Sequence, residues 1–296
     1  MSWLKRQSFL GPNSDDLLRN TKVGIVGLGG GGSHIGQQLA HAGIGNFVVV
    51  DPDTIEDHNL NRLIGGKFKF VKRGKAKVVI ARDLIRGIQP AARVQMERSL
   101  WQVAAESLRT CDVIVGGLDS FRARDELERF CRQNLIPYID MGMDVTKVGD
   151  GFLVAGQVLL SSPGGPCLRC VGVVTDQRLS EEAAEYGAAG GKPQVVWPNG
   201  VLASIAVGLL MLLIAPWHRK AVASAYREFD GNTHIVRESP KWKSLEGRSC
   251  PHHPANERGD PTFDIRRWLE MPVIPPDKPL FWRAMFERFS AWWAQR

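Results

Sequence analysis

The sequence predicts an α/β fold of Rossmann type, a mostly parallel sheet with helices on both faces, extended by antiparallel strands. Three observations carry this. Short apolar runs alternate with helical segments through the first half of the chain, the order that a sheet covered on both faces requires. The run "KVGIVGLGGGGSHIG" passes from an apolar strand through glycines into a helix. Between residues 142 and 166 the pattern changes to two apolar runs flanking a glycine, as antiparallel strands do.

Taken in order, the parallel core spans residues 20 to about 145. "KVGIVG" is the first strand, and a helix follows from about Ser33. "NFVVVD" is the second strand, with a helix from about Gly74 to Gly87; "RVQMER" and "CDVIVGGLD" are the third and fourth. A helix over "RARDELERFCRQNL" leads to "IPYIDMG". Residues 171–200 are expected to be a loop-rich excursion, in which "SEEAAEYGAAGGKPQ" is polar and contains glycine. "VLASIAVGLLMLLIAPW", residues 201–217, is a helix bounded by Asn199-Gly200 and Pro216. At seventeen residues it lies at the lower limit for a membrane span and is expected to be a buried globular helix. Asp230-Gly231 marks the turn of a late strand pair. The expected divisions are residues 1–217 for the core with its N-terminal arm, 218–260 for the strand pair and second Cys/His motif, and 261–296 for a tail. That tail holds four of the nine tryptophans (Trp268, Trp282, Trp292, Trp293) and can form an amphipathic helix, for packing or protein docking.

Composition narrows the function classes. The 296 residues carry 38 Lys and Arg against 31 Asp and Glu, a net charge of +7, which favours anionic ligands and acidic partners. The basic residues are scattered, and "KFKFVKRGKAK" is short, so nucleic acid is not the expected partner. The N-terminus has no apolar stretch of signal-peptide length, and five unevenly spaced cysteines do not describe a disulfide scaffold. A cytoplasmic protein without a membrane span is expected.

The glycine run points to a nucleotide. Gly27, Gly29 and Gly32 fit G-x-G-x-x-G, whose glycines let backbone N–H groups at a helix N-terminus approach a pyrophosphate. Asp51 follows where a carboxylate meets ribose hydroxyls. NAD and ATP both satisfy this pattern. The next residues, "PDTIEDHNLNR", with Asp53, Asn59 and Arg62, form an acidic loop bearing Asn and Arg where a dehydrogenase starts a helix.

"GLGGGGSHIGQQLAHAGIGNFVVVDPDTIEDHNLNR" resembles the ThiF/MoeB/HesA adenylyltransferases, relatives of ubiquitin-activating enzymes, and the resemblance extends from about Lys5 to Trp217. It implies activation of the C-terminal carboxylate of a ubiquitin-like or sulfur-carrier protein by ATP and Mg2+. The products would be an acyl adenylate and pyrophosphate. By the same resemblance Gly27 and Gly29 hold the nucleotide and Asp51 its ribose. Asn59, Arg62 and Lys77 of "GKAKVV" face the phosphates, Asp119 of "GGLDS" faces magnesium, and Arg124 lies a helical turn on. Arg6 of "KRQSFLG" reaches the second subunit's site, which implies a homodimer. Arg62, Lys77, Asp119 and Arg6 are thus the expected catalytic groups, and they suit a reaction that brings two anions together. Hydride transfer would need none of them. Gly30 and Gly31 are expected to keep the turn open for ATP's phosphates, with Gly30 among the nucleotide-binding residues, and for an incoming carboxyl tail, so that Gly30→Val would impair adenylation more than folding. Ser120 and Leu63 depart from the family's usual Asn and Gln, and altered substrate contacts are expected there. Two alternatives stay beside this reading: a relative that activates a carboxylate on a modified tRNA, and a non-catalytic partner subunit of an activating enzyme.

"PCLRCVG" places Cys167 and Cys170 at the C-x-x-C spacing of half a tetrahedral zinc site, and "GRSCPHHP" supplies the other half. Cys250 with His253 has the matching spacing, and His252 is the alternative. In the resembling family the site is a structural zinc with four cysteines, so three cysteines and a histidine would be a departure, tying the C-terminal region to the core. Many activating relatives carry a nucleophilic cysteine in the excursion, but residues 171–200 contain none. Cys111 and Cys131 read as small buried apolar residues. The chain is therefore expected to stop at the adenylate and leave transfer to a downstream acceptor.

Overall fold

The computed structural model describes residues 3–184, 193–217, 224–253 and 258–259. The amphipathic helix expected in the tail lies outside them. Residues 1–261 cluster as one compact unit, built on an eight-stranded sheet ordered β3-β2-β1-β4-β5-β6-β7-β8. The strands are β1 (Lys22–Val26), β2 (Asn46–Val50), β3 (Arg93–Glu97), β4 (Val113–Gly116), β5 (Tyr138–Val148), β6 (Gly151–Ser161), β7 (Ala225–Asp230) and β8 (Ile235–Glu238). β3 through the start of β5 pair in parallel. From β5 on the pairing is antiparallel. The late strands thus continue the one sheet across residue 217.

The helices are α1 (Ser14–Asn20), α2 (Gly30–Ala42), α3 (Phe68–Val71), α4 (Lys77–Ile88), α5 (Ala105–Leu108), α6 (Phe121–Gln133), α7 (Asp176–Ala184), α8 (Val196–Ile214) and α9 (Pro240–Leu245). Strand alternation assigns them to two layers. Val23, Ile25, Phe47, Val49, Val113 and Val115 face one apolar cluster, shared with α2, α4 and α8. Val26, Val48, Val50 and Ile114 face the other, shared with α5, α6 and α9.

α8 is long and apolar enough to cross a membrane by length and composition alone, yet half of it is buried inside the protein, against α2, β5 and β6. It begins five residues before the expected start. Pro198 is its third residue, where a helix has no partner for an N–H, so proline costs little there. Within the excursion, Asp176–Ala184 form α7, which packs on α6.

α2 likewise begins at Gly30 rather than Ser33. A Cβ on Gly30 would stand 2.6 Å from Asn199 Nδ2, and one on Gly31 2.6 Å from Met141 Cε. The space expected at these two positions for ATP's phosphates and a substrate tail is filled by the protein's own side chains, and these glycines serve the close approach of α8 and β5 to α2.

Candidate active site

The carboxyl ends of β2, β1, β4 and β5 open onto a single cleft of about 410 Å³, at the point where successive strands depart to opposite sides of β1. Gly27 turns the chain out of β1 with φ 86°, and a side chain there would strike Gly117 O at 2.6 Å. A Cβ on Gly32 would lie 1.8 Å from Gly27 O, so the third glycine lets helix and strand close on each other. Gly29 differs: a Cβ there meets nothing within 4 Å. Its bare backbone lines the cleft beside the α2 N-terminus, a cradle for an anion.

Asp51 is buried at the end of β2. One carboxylate oxygen accepts from Leu28 N (2.7 Å) and the other from Asp53 N (2.9 Å), so it braces the glycine loop from below. Burial raises its pKa, against the pull of Lys77 and these N–H groups. Lys77 opens α4, and its buried Nζ lies 2.8 Å from Asp53 Oδ2 and 3.9 Å from Asp51 Oδ1. Its neighbour Lys75 points elsewhere and pairs with Asp83 at 2.7 Å. Asn59 is buried, and its Oδ1 accepts from Glu56 N at 3.0 Å, closing a capping box on the single turn that carries the loop. Arg62 Nη1 donates to His58 O (2.5 Å) and Asn61 Oδ1 (3.0 Å), and the side chain lines the cleft.

Across the cleft, Asp119 follows β4 and is exposed. Capping of α6 falls to Ser120, whose Oγ accepts from Ala123 N at 3.1 Å, so Asp119 is left to the cleft. Asp119 Oδ1 accepts from Gln194 Nε2 at 2.8 Å. Serine for asparagine exchanges one good cap for another. Leu63 is buried with Ile55 and Ile80 in a small cluster, and this second departure serves packing rather than the expected substrate contact.

Arg124 is buried and makes a two-pronged pair with Asp140, through Nε at 2.9 Å and through Nη2. Burial opposes its charge, but Asp140 outweighs that and raises its pKa. Arg178, Gln194 and Asn199 also line the cleft. They come from the excursion and α8, far along the chain, and no motif marks them. Arg6 stands elsewhere: it is exposed, and the adjacent Gln7 donates to Ala42 O (2.8 Å) at the opposite end of α2 from the cleft.

The second cluster has the donors of a metal centre. Cys167 Sγ lies 3.6 Å from Cys170 Sγ, and Cys170 Sγ lies 3.7 Å from Cys250 Sγ. His252 Nδ1 completes the set, 3.5 Å from Cys167 Sγ and 3.4 Å from Cys170 Sγ. Zn–S bonds of about 2.3 Å imply S···S edges of about 3.8 Å in a tetrahedron, so these residues fit zinc. The expectation of His253 is corrected to His252. His253 turns inward beside Glu128 and Cys167, and burial lowers its pKa. Glu128 backs the site: its oxygens accept from Leu168 N at 3.0 and 3.2 Å and from Ser161 Oγ at 2.5 Å, and Arg132 lies 3.4 Å away.

Residues 4–251 match the ThiF family. The SAMP-activating enzyme E1 of Haloferax volcanii is 32% identical over 168 residues, 55% of this chain and 57% of its own length. Molybdopterin-synthase adenylyltransferase of Escherichia coli is 29% identical over 163 residues, 54% of this chain and 61% of its own. Sulfur carrier protein adenylyltransferase of Thermus thermophilus is 32% identical over 117 residues, 39% of this chain and 42% of its own. The chain thus spans about half the length of the curated relatives it matches. Among solved structures, Escherichia coli MccB with ATP superposes with a TM-score of 0.64 at 20% identity, over 80% of this chain and 70% of that one. The microcin C7 biosynthetic enzyme MccB with N-formylated MccA gives 0.65 at 20%, over 80% and 71%. These two show a shared fold.

Proposed function

Because the chain belongs to the ThiF family, we propose that it activates a C-terminal carboxylate with ATP, forming an acyl adenylate and releasing pyrophosphate. The observation that carries this reading is the convergence of Gly29, Asp51, Arg62, Lys77 and Asp119 on one cleft. A carboxylate oxygen attacks the α-phosphorus, and the bond from that phosphorus to the oxygen bridging the β-phosphate breaks. The chain must therefore hold two anions together and meet the charge that develops on the leaving pyrophosphate. The glycine loop offers backbone N–H groups to the phosphates. Arg62 has no carboxylate partner among the described residues and is available to them. Lys77 is held in place by Asp53. Asp119 is the hard oxygen donor that would hold Mg2+, which supplies further neutralisation of phosphate charge.

The names of the relatives support a small ubiquitin-like or sulfur-carrier protein as the owner of the carboxylate. No cysteine on this chain is suited to receive the acyl group. Burial raises the Cys111 thiol to about 12 and Cys131 well above its ordinary value, and the other three sit in the zinc-type cluster. The adenylate would pass to a nucleophile on a downstream acceptor, and a thiol-sensitive adduct on Cys111 or Cys131 would overturn this part. The arm that carries Arg6 supports a homodimer. α2 spans thirteen residues, about 18 Å, and Arg6 lies by its far end, so the site it serves would be a partner's.

ATP–pyrophosphate exchange with a carrier protein ending in Gly-Gly tests the reading. The wild-type chain is expected to exchange, and Arg62→Ala and Lys77→Ala each to lose about 10²–10³-fold while staying folded. ATP binding without exchange would overturn the proposal.

A further inference from the structure

Among the described residues four cations line the cleft, and three have a place in the nucleotide reading or are already neutralised. Arg62 lies on the phosphate loop, Lys77 is paired with Asp53, and Arg124 is paired with the buried Asp140. Arg178 is the fourth. It comes from α7 and forms no ion pair among the described residues. Its guanidinium lies over the Phe121 ring, 5.2 Å from the centroid, and Nη1 donates to Val173 O at 2.7 Å. Nε and Nη2 have no partner among the described residues.

A surface arginine is ordinarily mobile, but this one stands on a fixed platform. Glu182, one turn further along α7, accepts from Phe121 N and Arg122 N, each at 3.0 Å, and so holds α7 to the N-terminus of α6. Arg169 bridges Asp125 of α6 (2.8 Å) and Asp176 of α7 (3.0 Å). The stack and the bond to Val173 then fix the plane of the guanidinium and leave part of its donor fork open.

The sheet order says which half of the cleft this is. Asp51, the glycine loop and Asp119 follow β2, β1 and β4, so the nucleotide end lies on that side. Gly142, Met143 and Gln157 line the β5–β6 side, and among the described residues the guanidinium beside them, Arg124, is already paired with Asp140. Arg178 shares the Phe121 ring with Arg124, 5.6 Å from the centroid, and Arg124 pairs with Asp140 of β5, so Arg178 borders this second half. Asp144 lines it too, with its carboxylate turned back to accept from Val145 N at 2.9 Å.

We infer that Arg178 is a specificity-determining residue for the acyl substrate: it pairs with an acidic side chain one to three residues ahead of the terminal Gly-Gly. The inference rests on the adenylation reading above. Within it, the activated chain enters along β5–β6 with its carboxylate toward the phosphates. A carboxylate a few residues upstream is then the group that meets the open edge of the fork.

Exchange assays with synthetic peptides test this. The peptides end in Gly-Gly and carry Glu, Ala or Lys at each of the three preceding positions. At one position the wild-type chain is expected to show kcat/KM about tenfold or more higher for Glu than for Lys. Arg178→Glu should reverse that order, and Arg178→Ala should erase it, with the KM for ATP moved less than about twofold. A ranking that survives Arg178→Ala overturns the inference. So does a tenfold rise in the KM for ATP with the ranking intact, which would make Arg178 a phosphate ligand. If no peptide supports exchange while a whole carrier protein ending in Gly-Gly does, the tail-reading role falls. If the carrier protein does not support exchange either, the adenylation reading falls with it. Hydrogen exchange over residues 176–184 in each variant checks that α7 remains docked.

Discussion

Gly30 has space on paper and none in the fold, because Asn199 from α8 occupies the position of its missing side chain. Asn199 is itself buried and anchored, with Nδ2 donating to Val195 O at 2.9 Å. Gly30→Val must therefore push α8 from α2 or unseat that amide, and overpacking of this kind costs about 1–3 kcal/mol. A fall in the denaturation midpoint accompanying any loss of exchange is the expected result. An unchanged midpoint would return the position to the substrate. Single residues also explain the division of labour around α6. Ser120 takes the cap, which frees the neighbouring carboxylate of Asp119 for the cleft.

At the scale of elements, α7 and α6 depend on one carboxylate. Glu182 satisfies two N–H groups that the start of α6 leaves open, and a lost cap costs about 1 kcal/mol. Glu182→Ala should raise hydrogen exchange over residues 176–184 well before it affects β1 or β4, and uniform exchange across both would count against α7 as a separately held element. This contact also shows where sequence reading stops. The parallel core, the hairpin and the glycine loop were legible because period, turn residues and local spacing encode them, as did the loop bearing Asn59 and Arg62. Arg178, Gln194 and Asn199 were not, because they reach the cleft through contacts with Phe121, Asp119 and Gly30, far back along the chain, that leave no local period. The histidine of the metal cluster failed for a related reason: spacing counts residues, whereas the backbone turn after Pro251 decides which imidazole faces the thiols.

For the whole molecule, the Cys/His cluster joins the chain after β6 to the chain after α9, and Glu128 carries that join into α6. We expect purified protein to hold about one zinc per chain, as four donors closing one tetrahedron require. His252→Ala should release it and His253→Ala should retain it. Chelation should lower the unfolding temperature, since metal binding free energy is also folding free energy. Retention by His252→Ala with loss by His253→Ala would reverse the ligand assignment.

The arm makes a last prediction about assembly. Arg6 sits beyond the far end of α2, and the Phe9 ring nearby packs edge-on against Trp217 at 6.0 Å with both side chains substantially exposed. If that face meets a second copy and Arg6 completes the partner's cleft, two inactive variants can repair each other. Arg6→Ala keeps its own Lys77, and Lys77→Ala keeps the arginine its partner needs. Half of the dimers formed by an equal mixture are mixed, and each mixed dimer has one cleft free of both substitutions. Co-refolding the two variants should therefore restore about a quarter of wild-type exchange. Recovery that stays at the level of the separate variants would show that Arg6 acts within its own chain or not at all.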